Sequence, residues 1–356
     1  MPVKVHPLLF ELQAQRPTTR DIANQIKEHG AIDGLPDAAR RADGASYQEV
    51  TCRSALNPVK GMPFNWTLNP YRGCTHGCHY CFARRYHVQF ELDSSDAFSS
   101  VILVKRNFVD VLKKELDRPS WKREYVAVGT ATDVYQPIEG HYKLTRRSLE
   151  ALAHARTPIG VITKGPMVVR DKDVLLEVTR RASCTVYVSV PTVDEDAWRI
   201  LEPGTAHPLQ RLRAVRELND AGIRAGVLMN PIVPGLTSQP AKLENTIKAI
   251  ADHGAAFMGT SLLYLKDGTR VHFMNFLAQH FPLLATKYQR LYRGAYAPDA
   301  YAKEVRGMVK MLQKKYRVSK RDEDDKDTPG EKDPPGERRG QTPFFAEFGD
   351  PAKKGV

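Results

Sequence analysis

The chain is short of the residues that mark secreted and membrane proteins. Its 356 residues contain five cysteines, an odd number and too few for a disulfide framework. Nothing at the start reads as a secretory signal, and no apolar run approaches the roughly 20 residues needed to cross a bilayer. These absences predict a soluble protein of the cytoplasm with no membrane partner. Acidic residues are also in deficit, 41 against 53 Lys and Arg, which leaves a formal charge of +12 and a pI near 9.4. The terminal stretch does not supply that excess, because residues 319–356 carry more acids than bases. A basic balance of this size favours an anionic partner, with DNA or another nucleic acid foremost, although it also serves solubility.

Three of the five cysteines fall within eight residues, Cys74-Thr75-His76-Gly77-Cys78-His79-Tyr80-Cys81. Thiols this close can converge on one inorganic centre, and the lack of a local fourth ligand leaves one metal position open to a substrate or cofactor. Spacing alone leaves structural zinc open, with a remote histidine or Cys184 completing a tetrahedron. Gly73 and Gly77 bracket Cys74 and permit close backbone approach.

From Phe64 to Ser261 short β-rich runs alternate with helical patterns, the signature of repeated βα units. Strands are expected at 64–68, 125–128, 159–163, 185–190, 224–229 and 256–262, and the run 100–106 reads as a further short strand or extended loop. Crossover helices are expected at 144–155, after Asp171 as a cap, at 211–221 before Gly222, and around Leu243, Ile247 and Ile250 before Gly254. Six parallel strands with helices outside fit an α/β fold, an open or incomplete barrel whose strand ends aim loops at a common site. A basic helix over 300–317 follows, with Val305, Val309 and Leu312 on its apolar side.

The frame Asn69-Pro70-Tyr71-Arg72-Gly73-Cys74 through Tyr80-Cys81-Phe82-Ala83-Arg84 resembles the radical S-adenosylmethionine (SAM) superfamily, in its spore photoproduct lyase-like branch. The resemblance implies a partial (β/α)6 barrel with short N-terminal and C-terminal extensions. It divides the chain into an N-terminal extension (1–60), a radical SAM core (61–265), a helical C-terminal extension (266–318) and a disordered tail (319–356). It further implies a [4Fe-4S] cluster on Cys74, Cys78 and Cys81, whose fourth iron takes S-adenosyl-L-methionine, and an external flavodoxin or ferredoxin-type electron donor. Electron transfer to the sulfonium would release a 5′-deoxyadenosyl radical that abstracts hydrogen from the substrate. In this pattern His76 and His79 are hydrogen-bonding or surface residues rather than ligands.

Carried over position by position, the resemblance implies cofactor contacts at the strand ends. Thr130, Thr132 and Asp133 close the second strand near the SAM amino group, and Lys164 after the third matches a carboxylate-binding lysine. Ser189 ends the fourth, and Glu202 follows in a Glu-Pro frame as an acceptor for sugar hydroxyls. The Pro231-Ile232-Val233-Pro234-Gly235 turn matches the adenine side. Tyr264, Lys266 and Arg270 are weaker candidates for the substrate side. One departure matters: the lyase's hydrogen-donating cysteine lies where this chain has Thr130, Ala131 and Thr132, with Cys52 and Cys184 as substitutes elsewhere. The expected activity is therefore radical chemistry on damaged or modified nucleic acid, as in a DNA photoproduct lyase-like repair enzyme. The alternatives are a radical enzyme acting on a small metabolite or peptide, and a noncatalytic metal-bearing nucleic acid binding protein.

Overall fold

The computed structural model describes residues 44–86 and 97–319. Most of the N-terminal extension and all but the first residue of the tail expected at 319–356 lie outside the described residues. Among the described residues ten strands form two sheets. The larger has the order β10-β9-β8-β7-β6-β3-β2, built from β2 (Leu56–Pro58), β3 (Trp66–Leu68), β6 (Val126–Val128), β7 (Ile159–Thr163), β8 (Cys184–Ser189), β9 (Arg224–Ile232) and β10 (Met258–Leu262). Six of these run parallel, and β2 pairs antiparallel with β3 at the edge. The sheet is open, as an incomplete barrel requires. All five residues of β7 are buried, because a parallel strand packed on both faces selects a continuous apolar run rather than an alternating one.

The connections are helical. They comprise α1 (Phe108–Leu116), α2 (Leu144–His154), α3 (Lys172–Arg181), α4 (Pro208–Asp220) and α5 (Pro240–Asp252). The periodic residues Leu144, Leu149 and Leu152 of α2, and Leu243, Ile247 and Ile250 of α5, are buried. Helix α4 stops before Gly222 and α5 before Gly254, each with positive φ, the conformation that costs glycine least. Asp171 stands at the N-cap position of α3, yet its side chain makes no capping bond. Tyr135, Arg146 and Arg170 take its carboxylate instead, since charged donors outcompete a helix amide for a buried acid.

Two features lie outside the barrel expectation. The run at 100–106 is a strand, β5 (Val101–Lys105), but it belongs to a separate three-stranded sheet, between β1 (Ser46–Val50) and β4 (Tyr71–Arg72). That small sheet backs the cysteine loop. Beyond β10 come α6 (Asp267–His280), α7 (Pro282–Leu291) and α8 (Asp299–Tyr316). Val305, Val309 and Leu312 of α8 join the main core, while Lys303, Arg306, Lys310, Lys314 and Lys315 are exposed. No helix among the described residues is long and apolar enough to cross a membrane.

Candidate active site

The cysteine loop follows β4 at the carboxyl end of the sheet. Gly73 has φ +81°, and a Cβ there would lie 2.5 Å from the Val101 carbonyl oxygen, so only glycine lets the loop leave β4 beside β5. Buried Arg84 holds the loop from within, donating through Nε to the Cys78 carbonyl (3.1 Å) and through Nη2 to that of Gly77 (3.0 Å). His79 stacks on Phe276 at 4.3 Å and meets His272 at 3.0 Å; buried His76 lies 3.3 Å from the Asp133 carboxylate. Both histidines therefore serve packing and polar contacts.

The three thiols feel one another electrostatically. Burial, then Asp133 and the charges of Cys78 and Cys81, push the Cys74 thiol well above its ordinary value. Burial likewise raises Cys78 to about 12, with Lys164 and Arg211 pulling the other way and Glu202 and Cys81 adding to the rise. Buried, mutually repelling thiolates are stable only on a metal centre. Three spaced thiolates suit a polynuclear iron–sulfur cluster. Thr75 adds a buried hydroxyl without a hydrogen-bond partner inside the loop, a donor of the kind that meets cluster sulfur.

Behind the loop lies a buried ionic network. Glu202 accepts from the Tyr80 hydroxyl and from Arg211 Nη2 at 2.6 Å, and Lys164 Nζ stands 3.9 Å away. Burial disfavours the Glu202 charge, but Arg211, Lys164 and Tyr80 hold its carboxyl below the usual range. Burial also works against the Lys164 charge, and Cys78, Glu202 and Cys81 outweigh it, leaving that pKa raised. Glu202 thus supports the loop through Tyr80. Arg211, which in sequence reads only as part of an amphipathic helix, is fully buried and also donates to the Ser189 carbonyl at 2.8 Å.

The loop after β6 forms a second support. Thr132 donates to the Gly73 carbonyl at 2.6 Å, and Gln136 bonds both that carbonyl and the Thr75 amide. Asp133 accepts from Thr163 Oγ1 and from the Tyr135 and Lys164 amides. Burial would raise its pKa, yet His76, Thr163 and the Lys164 amide prevail and hold it at about 2. Its oxygens are spent inside the protein, where they tie three loops together.

Two cavities flank the cysteine loop. The first, about 100 Å³, is lined by Tyr80, Cys81, Phe82, Lys164, Ser189, Asn230 and neighbours including Ser261 and Tyr264. It brings a cysteine, the expected lysine and the expected serine to one place. Asn230 Oδ1 there is buried with no hydrogen-bond partner; its position at the carboxyl end of β9 was the only sequence signal for it. The second cavity, about 250 Å³, takes Thr130 and Ala131 and shares Phe82 as a wall. Thr130 is therefore parted from Lys164 and Ser189. Tyr264, Lys266 and Arg270 line a third cavity of about 490 Å³. Cys184 opens β8 at the strand end away from Ser189, where burial raises its thiol to about 12; Cys52 is held through its backbone by Asn107.

Comparison with known proteins follows this geometry. The fold matches solved spore photoproduct lyase structures. One, complexed with dinucleoside spore photoproduct, gives a TM-score of 0.60 at 16% identity, covering 84% of this chain and 92% of that one; a form with bound AdoMet and the same ligand gives 0.59 at 15%, with the same coverage. An uncharacterized protein of Mycobacterium tuberculosis is 38% identical over 303 residues, 82% of this chain and 89% of its own. A radical SAM Nalpha-GlyT isomerase of Pseudomonas phage M6 is 25% identical over 48% of this chain and 33% of its own. The Radical SAM superfamily model matches residues 68–250. The superfamily works with a [4Fe-4S] cluster and SAM, which the thiol set and the polar strand ends fit, and the chain belongs to it, with the fold of its spore photoproduct lyase branch.

Proposed function

We propose that Cys74, Cys78 and Cys81 hold a [4Fe-4S] cluster and that the cavity beside Cys81 takes SAM, with Lys164 and Ser189 as partners of its carboxylate. The carrying observation is that one cavity joins Cys81 of the thiol loop to Lys164, Ser189 and the unpartnered Asn230 carbonyl. When bound and reduced, this pair supplies a 5′-deoxyadenosyl radical for hydrogen abstraction. The residues around it position and protect. Lys164 brings a cation to a site that receives an anionic carboxylate, Asp133 and Glu202 fix the loops from behind, and Leu262, Leu263 and Phe82 exclude water.

The substrate class is damaged or modified nucleic acid. The +12 charge supports this, as do the names of two similar proteins, a lyase complexed with a dinucleoside photoproduct and a phage isomerase. Thr130, Ala131 and Thr132 in the stretch that holds the lyase's donor cysteine speak against the same reaction by the same hydrogen relay. The electron donor is an external flavodoxin or ferredoxin-type protein. The test is anaerobic purification with iron and sulfide, reduction with SAM present, and measurement of 5′-deoxyadenosine. Alanine at Cys74, Cys78 or Cys81 should remove both iron and product, and DNA should stimulate cofactor cleavage where metabolite mixtures do not. Stoichiometric zinc without iron or SAM affinity would overturn the assignment.

A further inference from the structure

The second cavity holds two cations and, among the described residues, no acid. Its lining includes Lys105, Arg72, Thr67, Asn69, Thr130 and the rings of Phe64 and Phe82. Lys105 closes β5 and is almost wholly buried. Its Nζ donates to the Asn69 carbonyl at 2.7 Å and lies 5.3 Å from the Phe108 ring centre. An ammonium has three donors, and among the described residues no other hydrogen bond is made by this one. Thr130 accepts from the Asn69 amide at 3.3 Å, which leaves its own hydroxyl proton directed elsewhere. A buried cation without a carboxylate is costly. Burial first, and Arg72 after it, depress Lys105 to about 8, with Cys52 acting the other way. Among the described residues no carboxylate repays that cost, which an anion in the cavity would. The Phe64 and Phe82 rings in the lining narrow the choice of anion, because aromatic walls in a cationic cavity are the chemistry that receives a base together with its phosphate.

We infer that this cavity, across Phe82 from the cofactor, receives the substrate by a phosphate group of a nucleotide, held by Lys105 with Arg72 beside it. The inference deepens the proposed function and rests on it for the meaning of "substrate". Phe82 belongs to both linings, so a nucleotide anchored here adjoins the cofactor cavity without occupying it. Lys105 then acts as a binding residue, and Thr130 offers a hydroxyl beside it.

The test is anaerobic equilibrium dialysis of the cluster-loaded full chain with SAM, comparing the deoxynucleoside 5′-monophosphates with the same nucleosides. At least one monophosphate is expected to bind about tenfold or more tightly than its nucleoside, the equivalent of one charge-assisted contact. Lys105→Met should abolish that preference, with melting temperature and iron content as controls for folding. If the variant fails to fold, the wild-type chain still decides: the monophosphate should shield Lys105 from amine acylation, read by mass spectrometry, and the nucleoside should not. Equal affinity for both ligands, no binding up to about 10 mM, a preference that survives in folded Lys105→Met, or absent shielding would overturn the inference. Cofactor cleavage without substrate is measured on the same sample, so failure of the radical SAM reading appears separately as absent 5′-deoxyadenosine.

Discussion

Replacing Arg211 by Met tests whether the network behind the cysteine loop is what positions it. Arg211 is fully buried and Glu202 nearly so, and their 2.6 Å contact is accompanied by the bond to the Ser189 carbonyl. Removing one partner of a buried pair strands the other charge at about 3–5 kcal/mol. The lost bond to a neutral carbonyl adds about 1 kcal/mol. Lys164 at 3.9 Å and the Tyr80 hydroxyl remain near Glu202, so the lower end applies and about 4 kcal/mol is expected in all. That is a large share of the roughly 5–15 kcal/mol that holds a domain together. The assay is urea unfolding of the metal-free protein at neutral pH, run as a cycle with Glu202→Gln and the double variant. Neutralising Glu202 relieves the stranded charge, so the double variant should be more stable than additivity predicts by about 2 kcal/mol. The pH arm has a definite sign. Glu202 titrates below 4.5 in the folded chain, so its contribution is present above pH ~4.5 and lost as pH falls through the depressed value; Arg211→Met should flatten that arm. A cost under about 1 kcal/mol, the range of exposed pairs, or simple additivity would refute the reasoning.

Other outcomes are equally specific. The gap between an ordinary 3.8 and about 2 for Asp133 corresponds to about 2 kcal/mol, fully present above pH ~4 and lost as pH falls toward 2; unfolding free energy against pH should show this arm, and Asp133→Asn should remove it. Gly73→Ala should cost about 2 kcal/mol through its left-handed φ and the approach to the Val101 carbonyl, and iron bound per chain should fall with it; wild-type stability would contradict the close approach. Asn230→Leu should leave the apo-protein as stable or stabilise it by about 1 kcal/mol, because an unpartnered buried acceptor is removed. The same change should weaken SAM binding by about three- to tenfold in calorimetry, and unchanged affinity would place the carbonyl outside the cofactor's reach.

What the sequence made legible follows from which forces are local. The thiols stand within eight residues and need no tertiary knowledge to be grouped, and the buried parallel strands announce themselves as unbroken apolar runs such as Ile159–Thr163. The small sheet was hidden because β1 pairs with β5 across some fifty residues and β5 with β4 across thirty, and nothing in one strand names its partner. Thr130 and Thr132 part company for a related reason. Positions two apart share a face only while a strand continues, and β6 ends at Val128, so one threonine turns to the Gly73 carbonyl and the other to the second cavity. Arg211 was invisible because helical periodicity gives a position on a face and not the carboxylate waiting opposite it. Asp133 and Glu202 carry the same lesson into function. Both stand where cofactor contacts are expected, Asp133 in the loop after β6 and Glu202 at the end of the short helix Glu195–Leu201, yet their oxygens are engaged by His76, Thr163, Tyr80 and Arg211. Acids engaged inside the fold can position the thiol loop, and the ligand contacts proposed above rest on other groups, Lys164 and Asn230 in one cavity and Lys105 in the other.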